Sequence, residues 1–187
     1  LNYLDFLGRE QSEYENIARA VKEKIIRGSY RVGDKEISFV PFENREKKLG
    51  LHVASSVAKT FFSLVFYLEH VAKKGDYLII DEPELNLHPD SQRNIARILA
   101  RIANRGIRVI ISTHSDYILR EMNNLIMLNT DFRNRDELKR KYGYSDDELL
   151  DVGDIAAYLF ERNTIKPMEI NMDEGIIAET YDTVINA

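Results

Sequence analysis

Apolar residues recur along this chain with two different periods, and the switches between them mark out its elements. Tyr14, Ile17, Ala18, Val21, Ile25 and Ile26 fall three and four apart, which predicts an amphipathic helix from Glu10 to about Ile26 that Gly28 can end. SYRV and KEISFV are β-prone runs on either side of Gly33 and Asp34, the pattern of a hairpin, and PFENREKKLG then reads as a polar loop. Helical spacing returns with Val57, Phe61, Leu64, Val65, Leu68 and Val71 on one face through about Lys73, and Ser55 or Ser56 is the natural cap.

Past a turn at Lys74, Gly75 and Asp76, the continuous run Tyr77, Leu78, Ile79 and Ile80 predicts a strand, which Pro83 prevents from continuing. Asp90 to Asn104 places Ile95, Ile98, Leu99 and Ile102 on one helical face, with Asp90 or Ser91 as cap and Gly106 as stop. A second run, Ile107, Val109, Ile110 and Ile111, follows. Strand, crossover helix and strand in one sheet are parallel and right-handed, so the carboxyl ends of both runs belong at the same rim. A short helix from Asp116 to Met122 then leads to Leu125 to Leu128, read as a third strand. The tail holds a charged helix near Arg133 to Tyr142, a strand-like AAYLF and IKPMEINM, and is expected to pack on the same sheet.

Length and composition narrow the class without naming a function. One domain is expected for 187 residues, divided into a helix-and-hairpin lead-in over 1–49, a core over 50–130 and an extension over 131–187. Hydrophobic residues make up 44% of the chain, enough for a buried core. The absence of cysteine removes disulfides and thiolate metal sites and fits a reducing cytoplasm. No apolar stretch reaches membrane-spanning length and LNYLDFLGRE lacks the order of a secretory signal, so a soluble, cytoplasmic protein is expected. A net charge of -5 argues against wholesale nucleic-acid binding, and Arg45, Lys47 and Lys48 read first as a solvated loop.

The candidate chemistry lies where the two strands end. Asp81 and Glu82 sit at a strand's carboxyl end, the edge where open parallel α/β sheets bind ligands. Acids often begin turns after strands, yet here the second strand also stops at polar groups, Ser112, Thr113 and His114. At such a rim one acid can hold Mg²⁺ while the next orients and deprotonates an attacking water, a division of labour that phosphoryl transfer needs. An imidazole there can donate to a phosphate oxygen while bridging to Glu82. Ser55 and Ser56 combine capping with a helix amino end, which is an anion site. His88 in ELNLHP fits a turn that seats the next helix.

In order and spacing these residues resemble the ABC-type ATPases: LIIDEP is similar to their Walker B strand, ELNLHPDSQ to their D-loop and STHS to their switch-histidine loop. DEPELNLHP followed by THSDYIL resembles most the non-transporter branch, the recombination-repair and chromosome-maintenance ATPases and the overcoming-lysogenisation-defect (OLD) group. ASSVAKTFF then occupies the slot of the signature motif, with Val57 where that family usually has Gly, a departure that bears on how closely the backbone approaches phosphate. No GxxxxGK[ST] P-loop is present; the Lys59-Thr60 pair follows Ala58, and no Gly-Lys dipeptide occurs.

The resemblance, which covers roughly Gly50 to Leu128, implies the carboxyl-terminal half of an ABC-type P-loop NTPase: parallel strands with flanking helices, plus a small α+β tail. It implies ATP and Mg²⁺ as ligands, with Asp81 on the metal, Glu82 as general base, His114 sensing the γ-phosphate, and Ser55 with Ser56 closing on ATP held by a partner subunit. The implied partners are an amino-terminal half carrying the Walker A motif, a second copy in a head-to-tail homodimer and DNA or an effector, with no membrane. The 187 residues alone are expected to be inactive. A different class, a nucleotide-gated dimerisation switch or scaffold with little hydrolysis, is the alternative that Val57 favours. Nuclease activity finds no home here, since Asp146 and Asp147 read as a solvated helix start.

Overall fold

In the computed structural model, which describes residues 12–33, 36–161 and 163–177, the middle of the chain is a strand, helix and strand unit. Strand β4 (Tyr77–Asp81) pairs in parallel with β5 (Arg108–Ser112), and the register sets Tyr77 opposite Arg108 and Asp81 opposite Ser112. Helix α3 (Pro89–Asn104) makes the crossover. The predicted coincidence of rims follows from this register. Gly106, at φ +90, ends α3 in the left-handed conformation that the predicted stop requires.

Ahead of this unit, α1 (Glu15–Val21) runs into a π-helical turn, Lys22–Ile26, and Arg27 closes it at φ 48, one residue before the glycine expected to do so. The first predicted helical residues, Glu10 and Gln11, lie outside the described residues. The hairpin forms as β1 (Gly28–Val32) against β2 (Ile37–Pro41), extended by β3 (Leu49–Gly50), while Asp34 of its predicted turn lies outside the described residues. Helix α2 (Ser56–His70) presents Phe61, Leu64, Val65 and Leu68 to one core shared with Tyr14, Ile17 and Val21 of the amino-terminal region and Ile95, Ile98, Leu99 and Ile102 of α3. Tyr14 is fully buried in it, and its hydroxyl donates to the Arg105 carbonyl at 2.9 Å, which satisfies the one polar atom it brings inside.

Two expectations fail. Leu125 to Leu128 is no strand: helix α4 runs over Asp116–Met127, and the Leu128 amide still donates to the Asn124 carbonyl at 2.9 Å. The buried positions Ile118, Glu121, Leu125 and Ile126 recur at three and four, so the apolar run is the end of a helical stripe whose middle member is a carboxylate. The tail also does not join the β4–β5 sheet. Helix α5 (Arg135–Tyr142) and two separate antiparallel pairs, β6 (Tyr158–Glu161) with β7 (Thr164–Pro167) and β8 (Ile170–Asn171) with β9 (Gly175–Ile176), complete the described chain. A second core joins this tail to the helices: Ala100, Leu125, Ile126 and Leu150 are buried together, with Met122, Tyr144 and Ile176 packed on them.

Ion pairs hold the tail in place. Arg97 of α3 meets Glu148 at 2.6 Å with the carboxylate 3% exposed, and Arg101 meets Asp147 at 2.7 Å. Asn104 donates to the carbonyls of Asp147 and Leu149. By contrast, one face of the β4–β5 pair is open. Leu78, Ile80, Val109 and Ile111 pack on the core, while Tyr77, Ile110 and Ile79, the last 72% exposed, face outwards. Parallel strands are normally covered on both faces. Among the described residues no helix is long and apolar enough to cross a membrane.

Candidate functional site

At the carboxyl ends of β4 and β5 the two predicted acids and the predicted histidine come together. Asp81 closes β4 beside Ser112, whose hydroxyl donates to Asp81 Oδ1. The Glu82 amide donates to the Ser112 carbonyl at 3.1 Å and to its hydroxyl at 3.3 Å, so Glu82 is tied to the neighbouring strand through its backbone. Its φ of 45 lies in the left-handed region, which costs a side-chain-bearing residue roughly 1–2 kcal/mol. Strain at a strand end next to two acids is a recurrent mark of a working site. The turn of chain at Glu82 and the buried Pro83 together stop the strand, as the sequence requires.

His114 stands across from this acid. Its Nε2 is 3.8 Å from Glu82 Oε1, near enough for electrostatic attraction and too far for a hydrogen bond, and its side chain is 88% exposed. The gap and the exposure leave both groups able to engage something placed between or above them. Among the described residues no group of three His, Cys, Asp or Glu is arranged to hold a metal. A lone carboxylate with open space fits Mg²⁺, which keeps most of its water and takes the remainder of its shell from phosphate oxygens, and does not fit a closed zinc site.

Ser55 is the N-cap of α2, its Oγ accepting from the Ala58 amide at 3.2 Å, and Ser56 opens the helix; both are exposed. Among the described residues no hydrogen bond or ion pair joins either serine to the lip. Val57 is half-buried and packs on the core. His88, and not Asp90 or Ser91, caps α3: its Nδ1 accepts from the Asp90 amide at 3.4 Å and Pro89 fills the first turn. The seating role expected for ELNLHP is therefore what the histidine performs.

Sequence reasoning passed over what Glu84, Gln92 and Ser115 do in building the loop after β5. Glu84 Oε1 accepts from Thr113 Oγ1 at 2.7 Å and from the His114 amide at 2.9 Å. Ser115 caps α4, accepting from the Ile118 amide at 3.2 Å, and donates to Gln92 Oε1 of α3 at 2.5 Å. Gln92 in turn donates to the Leu87 carbonyl at 3.0 Å. The available signal was the acid two residues past the Asp-Glu pair, facing a threonine in the opposite polar terminus.

Comparison with known proteins places the chain in a family. The family model described as "AAA domain, putative AbiEii toxin, Type IV TA system" matches residues 2–120. The cell division ATP-binding protein FtsE of Streptococcus pneumoniae is 37% identical over 70 residues, which cover 37% of this chain and 30% of FtsE. The Old nuclease of Escherichia phage P2 is 41% identical over 64 residues, covering 30% of this chain and 11% of the nuclease. The chain thus spans less than a third of the length of either relative. A solved chain from work on ATP-driven dimerization and DNA-stimulated activation of SMC ATPases superposes with a TM-score of 0.50 over 93% of both chains at 14% identity. That likeness carries the fold: a mixed α/β arrangement with a parallel strand pair and flanking helices, as in the P-loop NTPases.

Proposed function

The chain belongs to the family described as AAA domain, putative AbiEii toxin, type IV TA system, with ABC-type and OLD relatives, and we propose that it is the carboxyl-terminal half of an ATP-hydrolysing core. The observation that carries the reading is the meeting of Asp81, a strained Glu82 and His114 at one lip, with the imidazole 3.8 Å from the second acid.

Mg²⁺, when bound with ATP, supplies the positive charge that neutralises the phosphate oxygens. Asp81 would hold it, its carboxylate kept in place by the Ser112 hydroxyl. Glu82 takes the proton of the attacking water, a role its adjacent position and half-open side chain allow. His114 offers an imidazole N–H to the transferring phosphate, and its approach to Glu82 links the two sides of the lip. Ser55 and Ser56, exposed at the amino end of α2, close on the nucleotide of a second copy. The phosphate cradle comes from a P-loop-bearing segment outside these residues; the open face at Tyr77, Ile79 and Ile110 is apolar surface that such a segment would cover. Without it the 187 residues have negligible turnover.

In the complete protein, Glu82→Gln should lower ATP turnover by about 100-fold or more. Turnover within about threefold of wild type would remove Glu82 from the chemistry. A second reading, a nucleotide-gated dimerisation switch, is favoured by Val57, which stands where the resembling family usually has Gly. ATP-dependent dimerisation of the Glu82→Gln protein alongside negligible wild-type turnover would select it.

A further inference from the structure

Glu84 is the acid of this region that the hydrolytic reading leaves without a task. Its Oε1 receives both the Thr113 hydroxyl at 2.7 Å and the His114 amide at 2.9 Å, while its Oε2 is buried and makes no hydrogen bond among the described residues. Two donors converge on this one oxygen, so it is a firm anchor for the loop. The loop needs one, because the His114 side chain is exposed and has no packing of its own to orient it. Thr113 Oγ1 also accepts from the Ser115 amide at 3.0 Å, which extends the anchor to the residue capping α4.

The other end of Glu84 is built into the acidic turn. The Leu85 amide donates to the Glu82 carbonyl at 3.0 Å, and the Leu87 amide to the Glu84 carbonyl at 2.9 Å. One side chain therefore ties the turn that follows the general base to the loop that carries the imidazole. We infer that Glu84 is a positioning residue: it touches no phosphate, holds the His114 backbone so that the imidazole faces Glu82, and passes any displacement of the 84–88 turn on to it. The inference rests on the reading of Asp81, Glu82 and His114 as a hydrolytic site.

The test uses the complete protein, with ATP turnover measured for Glu84→Ala, Glu84→Gln, Thr113→Val, His114→Ala and the Glu84→Ala/His114→Ala pair. Amide hydrogen exchange at His114 is followed on the same proteins without nucleotide. Glu84→Ala should lower kcat about tenfold with KM for ATP within about threefold, as expected of a displaced group. Glu84→Gln, which keeps an acceptor oxygen, should recover most of the rate, and Thr113→Val, which keeps the shape and loses the donor, should lower kcat about threefold. The pair should be no more than about twofold slower than the worse single variant, since both changes disable one unit. The His114 amide should exchange about tenfold faster in Glu84→Ala and at the wild-type rate in Glu84→Gln.

An unchanged kcat in Thr113→Val, effects that multiply in the pair, or unchanged exchange at His114 would each overturn the inference. If Glu84→Ala does not fold, Thr113→Val and Glu84→Gln decide it alone. A wild-type protein that hydrolyses no ATP overturns the functional reading instead, and the exchange measurement then judges the anchor on its own.

Discussion

The lip at Asp81, Glu82 and His114 and the clamp between α3 and the tail both bring a basic side chain within 4 Å of an acid, and they are built to opposite rules. In the clamp, Arg97 donates to Glu148 through Nε at 3.0 Å and through a second nitrogen at 2.6 Å, lies over the Tyr144 ring at 4.4 Å, and is shielded from water. At the lip the imidazole stops short of a hydrogen bond, stands in solvent, and faces an acid on a strained backbone. Charges that hold a fold use up their partners inside it. On the proposed reading, groups that do chemistry keep partners in reserve.

Breaking the clamp is the largest effect expected from this contrast. Arg97→Met leaves Glu148 buried without its cation, and should lower unfolding free energy by about 3–5 kcal/mol, read as a drop in the urea midpoint. Adding Glu148→Leu should return most of the loss, because two apolar groups of similar size replace the pair. If the single variant costs no more than an exposed pair, below about 1 kcal/mol, the clamp is no stronger than surface charge.

The open sheet face sharpens the comparison next. Ile79→Ser should change the stability of these residues alone by no more than about 0.5 kcal/mol, since the side chain is already 72% exposed. In the complete protein the same change should cost about 2 kcal/mol if a further segment covers the face. Equal effects in both would show that nothing covers it.

Much of the lip was legible in the sequence because it depends on local rules. Unbroken apolar runs ending at Asp81 and Ser112, with one helix-length crossover between them, leave a parallel pair with a shared rim as the simple solution. What failed depended on partners distant in sequence. Leu125 to Leu128 reads as a strand until Glu121 is counted as a buried position, and the Arg93 guanidinium, reaching it at 2.9 Å from α3, makes that possible together with the Asn124 side-chain amide at 3.4 Å. The β8–β9 pair is likewise set by contact with α4: Asn123 bonds both the Ile176 carbonyl and the Ile176 amide, and no pattern near Asn123 announces it. Glu84 escaped for the same reason, since its worth lies in a threonine 29 residues away.

Relieving the backbone at Glu82 should have a smaller effect of opposite sign. Glu82→Gly removes a left-handed strain of about 1–2 kcal/mol. Glycine's added freedom in the unfolded chain takes back about 0.5–1 kcal/mol. A net gain of about 0.5–1 kcal/mol in thermal or urea unfolding, with turnover lost in the complete protein, would mark Glu82 as a residue kept for chemistry at the expense of the fold. A loss of stability would mean the carboxylate itself holds the lip together.

The smallest effect separates the exposed margin of the clamp from its buried centre by pH. The Lys139 ammonium, through hydrogen bond and charge, holds the Asp146 carboxyl below its ordinary value of 3.8. At Asp147 burial pushes the other way, and the Ser145 hydroxyl and Arg101 guanidinium outweigh it, so this carboxyl is lowered too. A carboxyl depressed in the folded state contributes stability that is complete above 3.8 and disappears as pH falls through the lower folded value. Comparing wild type with Asp146→Asn/Asp147→Asn should therefore show a difference in urea midpoint at about pH 6 that shrinks as pH falls below 3.8. Asp146 is largely and Asp147 partly open to solvent, so the difference should also shrink in about 1 M salt, where screening reaches within roughly 3 Å. A difference that survives both acid and salt would assign these two aspartates to the shielded centre with Glu148, and the division between the margin of the clamp and its core would fall.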